Sequence, residues 1–253
     1  MDCISEGSNE ILRARIEDTV RMCDKRGVPC FLGFLDLREQ AEVRRMLSGV
    51  PDGSWRLFGG YDEAERAILA ICPDYMDPAY AEFPLCAVAL RYRAIHKLTH
   101  RDFLGTLLSA GIRRDKIGDI LCGEGLSVVF LRKEIADFVC EQIKRVGGEG
   151  VTIIRDYTGE LPIARDYEHL RETVVSPRLD VIVKTLVRCS REKAAELIRL
   201  GSVSMDHLPI DSVSAVVSAP CTVSIRGSGR YLVDQIGPET KKGRLALLAR
   251  KVL

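Results

Sequence analysis

No run of eighteen uninterrupted apolar residues occurs in the 253-residue chain, so no segment reads as a membrane-spanning helix. No signal-peptide pattern opens it either. The nine cysteines contain no Cys-X-X-Cys pair, which removes the zinc-ribbon and thioredoxin-like readings. Scattered and mostly apolar-flanked, they suit a reducing compartment, and the expectation is a cytoplasmic protein. Glycine-rich nucleotide signatures are missing too. The stretch GGYDEAER at 59–66 has neither the Lys-Ser/Thr pair of a P-loop nor the G-X-G-X-X-G spacing of a dinucleotide site, and reads as a tight turn before a helix. A methyltransferase loop after a first strand and the paired nucleotide signatures of a tyrosyl-tRNA synthetase are equally absent.

Histidine is scarce, with four in the chain. His96 and His100 lie four apart, but no glutamate stands between them and no third ligand is evident, so no metal site is expected. His169 and His207 sit in polar surroundings. His100-Arg101-Asp102 lacks every companion of a kinase catalytic loop. No nucleophile, base and orienting group can be assembled, and the chain is expected to be no enzyme, with no cofactor and no small-molecule substrate.

What is present is charge, unevenly spread. Residues 1–84 hold 10 basic against 16 acidic side chains, 85–177 hold 14 against 13, and 178–253 hold 13 against 7. An acidic head and a basic tail point to a polyanionic partner at the C-terminal end. Length and 46% hydrophobic content allow two or three domains with proper cores.

In chain order, 8–26 reads as an amphipathic helix, 30–35 as a strand, 36–46 as a helix capped by Asp36, and 55–58 as a strand. A turn, a helix and a proline stop are expected over 59–73. These elements make 1–84 a small α/β domain. From Leu85 the order strand, helix, strand, strand, helix, strand is expected, with Thr99 capping the first helix and Gly123-Glu124-Gly125 turning a hairpin. That order is the split βαβ of a ferredoxin-like, RRM-like domain over 85–160, although the aromatic signature that stacks bases in RRM domains is not recognisable. Among the basic residues it offers are Arg91, Arg93, Lys97, His100 and Arg101, then Arg113, Arg114 and Lys116. Around 161–173 the chain turns polar, and the boundary before the last domain, 176–253, is placed there. The fold class is α+β.

In that last domain Leu179, Ile182, Val183 and Leu186 recur at helical spacing, Ser190 offers an N-cap, Ala194, Leu197 and Ile198 stripe a second helix, and Gly201 ends it. Arg226 and Arg230 flank the turn Gly227-Ser228-Gly229. The blocks RLDxxL, SRxxAxxLIxxGxV and VSIRGxGR resemble, in order, the RNA-binding module of the ribosomal protein S-four type, the alpha-L motif. The chain departs from it at 203–207 and at Ala219-Pro220, both in loops. With GGYDEAER and HRDFLGTLLSAGIRRDKIGDI upstream, nearly the whole chain resembles the YlmH family of bacterial RNA-binding proteins. The resemblance implies an α/β head, an RRM-like middle and the C-terminal module. It also implies association with the large ribosomal subunit carrying peptidyl-tRNA, in rescue of stalled translation, and a link to cell-division gene neighbourhoods.

Structured RNA, ribosomal or transfer, is then the expected partner, with no membrane. The residues expected at it are Arg178, Lys184, Ser190, Arg191, Lys193, Arg199, Arg226, Arg230, Lys241 and Lys242, with Arg101, Arg113, Arg114 and Lys116 as a second set. Two rival readings are an RNA-modifying enzyme with an unrecognised active site and a cell-division adaptor. Pseudouridine synthases carry a similar module and a catalytic aspartate in a G-R-L-D-X-X-T-S-G-L block. Here Arg178-Leu179-Asp180 is followed by Val-Ile-Val-Lys-Thr-Leu, so Asp180 is expected to be structural, paired with a nearby arginine.

Overall fold

The computed structural model describes residues 3–50, 53–162, 167–240 and 243–253, arranged as two compact units that part between 162 and 167. The first unit takes in both segments expected as separate domains. It opens with α1 (Cys3–Arg26), β1 (Cys30–Leu35), α2 (Leu37–Met46), β2 (Trp55–Phe58) and β3 (Ala67–Ile71). Asp36 closes a reciprocal capping box with Glu39 at the start of α2, as its position before a helical apolar pattern suggests. The three strands form an antiparallel sheet in the order β1-β3-β2. One face receives Leu12, Ile16 and Cys23 of α1 and Val43 of α2.

The stretch 59–73 corrects the sequence expectation: it holds a turn and strand β3, and no helix. Ala67–Ile71 is apolar at every position, a pattern that fits a strand buried on both faces as well as a helix turn. As the middle strand of its sheet it is buried throughout.

The unit continues with β4 (Leu85–Arg91), α3 (His100–Ser109), β5 (Ile117–Cys122), β6 (Leu126–Arg132), α4 (Lys133–Gln142), the short hairpin β7 (Arg145–Val146) and β8 (Glu149–Gly150), and β9 (Thr152–Ile154). Helix α4 stops at Gln142. Gly147 and Gly148, both at positive φ, turn the chain into the β7–β8 hairpin. The larger sheet runs β5-β6-β4-β9, every neighbouring pair antiparallel. Phe103 and Leu107 of α3 join Ala136 and Val139 of α4 against Val88, Leu90, Val129 and Leu131 on one face of it.

The other face meets the first sheet. Phe34 and Ile68 from the smaller sheet share a cluster with Ala89, Val128 and Phe130 from the larger, so the unit is built as helices, sheet, sheet, helices. Gly118 is required at this seam, because a Cβ there would lie 2.6 Å from the Phe34 ring. A polar clamp adds direction to the apolar layer. Asp119 of β5 accepts the Tyr61 hydroxyl at 2.7 Å and the backbone N–H groups of Glu65 and Arg66 at 2.7 and 3.0 Å. Arg66, half-buried, donates to the carbonyls of Phe34 and Ile117 at 2.8 and 2.9 Å.

The second unit comprises β10 (Tyr167–Val174), α5 (Leu179–Val187), α6 (Arg191–Arg199), β11 (Val203–Met205), β12 (Leu208–Pro209), β13 (Cys221–Ile225), β14 (Gly229–Glu239) and β15 (Leu245–Val252). One antiparallel sheet runs β10-β15-β14-β13-β11-β12. Leu179, Ile182, Val183 and Leu186 of α5 and Ala194 and Ile198 of α6 pack on Val203, Val223, Tyr231, Val233 and Ala249. Residues 167–173, expected as part of a boundary stretch, are an edge strand whose side chains are mostly exposed, which is why they read as linker. The α+β class expected from sequence holds for both units.

Two carboxylates give the first unit measurable signatures, and its single tryptophan, Trp55, reports on it alone. Asp119→Ala strands two backbone donors and a hydroxyl, and is expected to remove about 3 kcal/mol of stability, read as a lower urea midpoint of Trp55 fluorescence. Glu42 of α2 accepts from Arg45 at 2.6 and 2.9 Å and from Arg13 of α1 at 2.9 Å. The Arg45 hydrogen bonds hold its carboxyl down to about 2 from 4.5, burial working against them. A carboxyl lowered on folding stabilises above its unfolded value and loses that contribution as pH falls. The Trp55 midpoint should therefore drop between pH 4.5 and pH 2 more steeply in the wild type than in Glu42→Gln.

Candidate nucleic-acid interface

In the second unit, α5 and α6 start beside one buried carboxylate. Asp180, its side chain 3% exposed, takes Arg178 on one oxygen (Nε to Oδ1, 3.0 Å) and Arg191 on the other (Nε to Oδ2, 2.7 Å). Arg178 occupies the N-cap position of α5 and Arg191 is the first residue of α6, so one aspartate ties both helix starts together. Burial alone raises Asp180. The hydrogen bonds from Arg178 and Arg191 outweigh that and leave it below the ordinary aspartate range, so it stays ionised between the two guanidiniums. Both arginines donate through Nε, Arg178 adds a longer bond from Nη2 to Oδ2 at 3.4 Å, and both guanidiniums stay half-exposed. The arrangement leaves two planar cations held side by side with spare donors, the chemistry that grips phosphate oxygens.

Ser190 caps α6 by accepting the Lys193 N–H at 3.1 Å, so its hydroxyl is committed to the helix. Lys193 reaches Glu196 at 3.0 Å in an exposed pair of little energetic weight. Lys184 and Arg199 are exposed near the C-terminal ends of α5 and α6. Arg226 is exposed in the turn between β13 and β14, where its N–H donates to the Ser202 carbonyl. Arg230 is set apart: it pairs in register with Ser224, and alternation with buried Tyr231 places it on the sheet face away from α5 and α6. Lys241 and Lys242 lie outside the described residues.

One cation was missed by the sequence reading. Arg188 ends α5 in the left-handed conformation at φ 53° and, with Lys251, Glu168, Ser228 and Tyr231, lines a cleft of about 340 Å³ between that helix end and the β13–β14 turn. The signal available was its place in the three-residue connection between two helices, next to the Ser190 cap.

The second expected set divides. Arg101 is exposed in the first turn of α3. Arg113 forms a two-point pair with Asp115 at 2.8 and 3.1 Å, and Lys116 pairs with Glu134. Arg114 turns inward to the Ile117 carbonyl at 2.8 Å, and burial, helped by neighbouring Arg66, pushes it down to about 10. His96 bonds Glu149 at 3.1 Å, and burial lowers His100. Among the described residues no group of three His, Cys, Asp or Glu side chains is placed to hold a metal. Among them, too, no helix is long and apolar enough to cross a membrane.

Against known proteins, residues 78–158 match the family described as "Putative RNA-binding domain in YlmH". The chain is 34% identical over 213 residues to the ribosome-associated protein quality control protein P2 of Bacillus subtilis (strain 168), a match covering 83% of this chain and 82% of that protein. The chain belongs to the YlmH family. A solved structure titled cell division protein ylmH from Streptococcus pneumoniae superposes with a TM-score of 0.50 at 18% identity, over 58% of this chain and 90% of that one, and speaks to the fold alone. For this YlmH-family chain the family match ends at residue 158; the Asp180 fork lies beyond it.

The fork has a stability signature. Asp180→Ala leaves two guanidiniums without their shared acceptor and is expected to cost about 3 kcal/mol. Arg191→Ala, which leaves Arg178 on the carboxylate, should cost far less. Hydrogen exchange of the amides of 179–199 distinguishes the two.

Proposed function

We propose that this chain is a non-catalytic RNA-binding factor that works on the large ribosomal subunit in rescue of stalled translation, gripping ribosomal or transfer RNA with its C-terminal unit. The observation that carries this reading is the Asp180 fork: two guanidiniums, fixed by one buried carboxylate at the start of a helix pair, with free donors facing solvent. Family membership supports it, because the relative from Bacillus subtilis is named for ribosome-associated quality control and the matched family domain for RNA binding. On this reading 176–253 forms the alpha-L module, and the strand order β5-β6-β4-β9 with two helices on one face is the ferredoxin-like arrangement.

The same fork speaks for a non-enzyme. The one aspartate that resembles a pseudouridine-synthase nucleophile has both oxygens occupied by arginines and is almost wholly buried. A substrate base has no path to it without breaking two ion pairs.

Phosphate contacts supply most of the affinity in such a complex and set its salt dependence. Wild-type protein is expected to travel with the large subunit in a sucrose gradient, and Arg178→Ala/Arg191→Ala to remain at the top. For binding to 23S ribosomal RNA, the double variant should lower the slope of log K against log salt by about 1.5. A wild type that stays off ribosomes and off 23S RNA even at low salt sinks the proposal.

A further inference from the structure

Ferredoxin-like RNA-binding domains take single-stranded bases on the open face of the sheet, on its first and third strands. In this chain those strands are β4 and β6, and that face is not open. Ala89 of β4 and Val128 and Phe130 of β6 are buried in the layer shared with Phe34 and Ile68. Tyr61 stacks on Phe130 at 5.2 Å between ring centroids, where a base would have to lie. The Asp119 clamp locks the cover in place.

Among the exposed cations of this unit, one run stands clear of acids in the sequence. Between Glu82 and Asp102 no acidic residue occurs, while Arg91, Arg93, His96, Lys97, His100 and Arg101 do. Arg91, Arg93, Lys97 and Arg101 are exposed. Among the described residues, none of these four has a salt-bridge partner. In contrast, Arg113 and Lys116 are paired and Arg114 is turned inward. The segment from β4 to α3 is also held in shape. Tyr92 donates its hydroxyl to the Gly123 carbonyl, the His96 N–H closes a turn onto Arg93, His96 Nε2 lies 3.1 Å from the Glu149 carboxylate, and Thr99 donates its N–H to Asp102. Of the acids on flanking elements, Asp102 accepts from Thr99, Glu149 lies 3.1 Å from His96, and Glu124 stands at the neighbouring hairpin tip. Amid the cations stands Ile95, 81% exposed, an apolar surface on which a base or ribose can rest.

We infer that the first unit meets RNA along the segment 91–101, through phosphate contacts from Arg91, Arg93 and Lys97, and not through its sheet. The inference rests on the RNA-binding reading above and adds a second surface, on a different unit from the Asp180 fork. Fixed loop geometry spares the ordering entropy that a floppy basic loop loses on binding. Two linked surfaces on one chain add avidity that neither supplies alone.

The test uses the full chain and 23S ribosomal RNA as probe. Arg91→Gln/Arg93→Gln/Lys97→Gln is expected to fold as the wild type, since all three side chains are exposed, and to lower the salt slope by about 2. Tyr61→Ala, which uncovers Phe130 on the sheet face and gives up the hydroxyl bond to Asp119, should leave the slope unchanged. A triple variant with the wild-type slope overturns the inference. So does one that keeps its RNA affinity yet no longer travels with ribosomes, because the segment then faces a protein. If the wild type binds RNA and responds to Arg178→Ala/Arg191→Ala while the triple variant does not differ from it, this inference alone fails. If the wild type binds no RNA, the functional reading fails and takes this one with it.

Discussion

Asp119 fixes what the rest of the first unit can be. Apolar burial between two sheets is strong but has no direction, and two flat layers can slide. A carboxylate that accepts two backbone N–H groups and a tyrosine hydroxyl from the facing layer permits one register. Arg66 repays the clamp from the other side, spending its donors on carbonyls of β1 and β5. With that register set, Phe34 meets Gly118, Tyr61 covers Phe130, and the larger sheet is closed on both faces. Binding chemistry is left to edges and loops.

Asp180 uses the same chemistry to the opposite end. Asp119 spends its oxygens mainly on backbone, so nothing is left to face outward. Asp180 spends them on two side chains that each have more donors than one carboxylate can take. The first arrangement locks layers together, and the second locks helices together while presenting cations. Burial of the carboxylate makes the guanidiniums hard to detach, because leaving a buried charge unpaired costs several kcal/mol.

Elements with an amphipathic period were legible in the sequence. The helices after Asp36, Thr99 and Ser190 announce their caps, and the hairpin at Gly123-Glu124-Gly125 announces its turn. Strand β3 was not legible, since a run buried on both sides has no period to read. Strand β10 failed for the reverse reason: at an exposed edge, its only inward residues are Leu170 and Val174 among six polar or half-exposed neighbours. At the site, Arg178, Asp180 and Arg191 could be named, and Asp180 could be expected to pair with a nearby arginine; that it holds both at once follows only from the two helix starts meeting in the fold. The fate of Lys116 could not, as it depends on Glu134 of α4; Arg113 and Arg114 bond Asp115 and the Ile117 carbonyl within three residues, and only the fold decides that they turn to these and not to solvent. Arg230 was grouped with Arg226 because both flank the Gly227-Ser228-Gly229 turn, while strand alternation sends it to the far face.

The strand order of the second unit bears on how the chain is made. Strand β15, the last of its unit in chain order, lies between β10, the first, and β14. Until residues 245–252 have left the ribosome, β10 has no neighbour to pair with and one side of the α5 core lacks Leu247 and Ala249. The helix pair with its aspartate depends on contacts near in sequence and needs no such wait. The arginine fork, held by contacts within 178–191, therefore precedes in chain order the strand that closes its sheet.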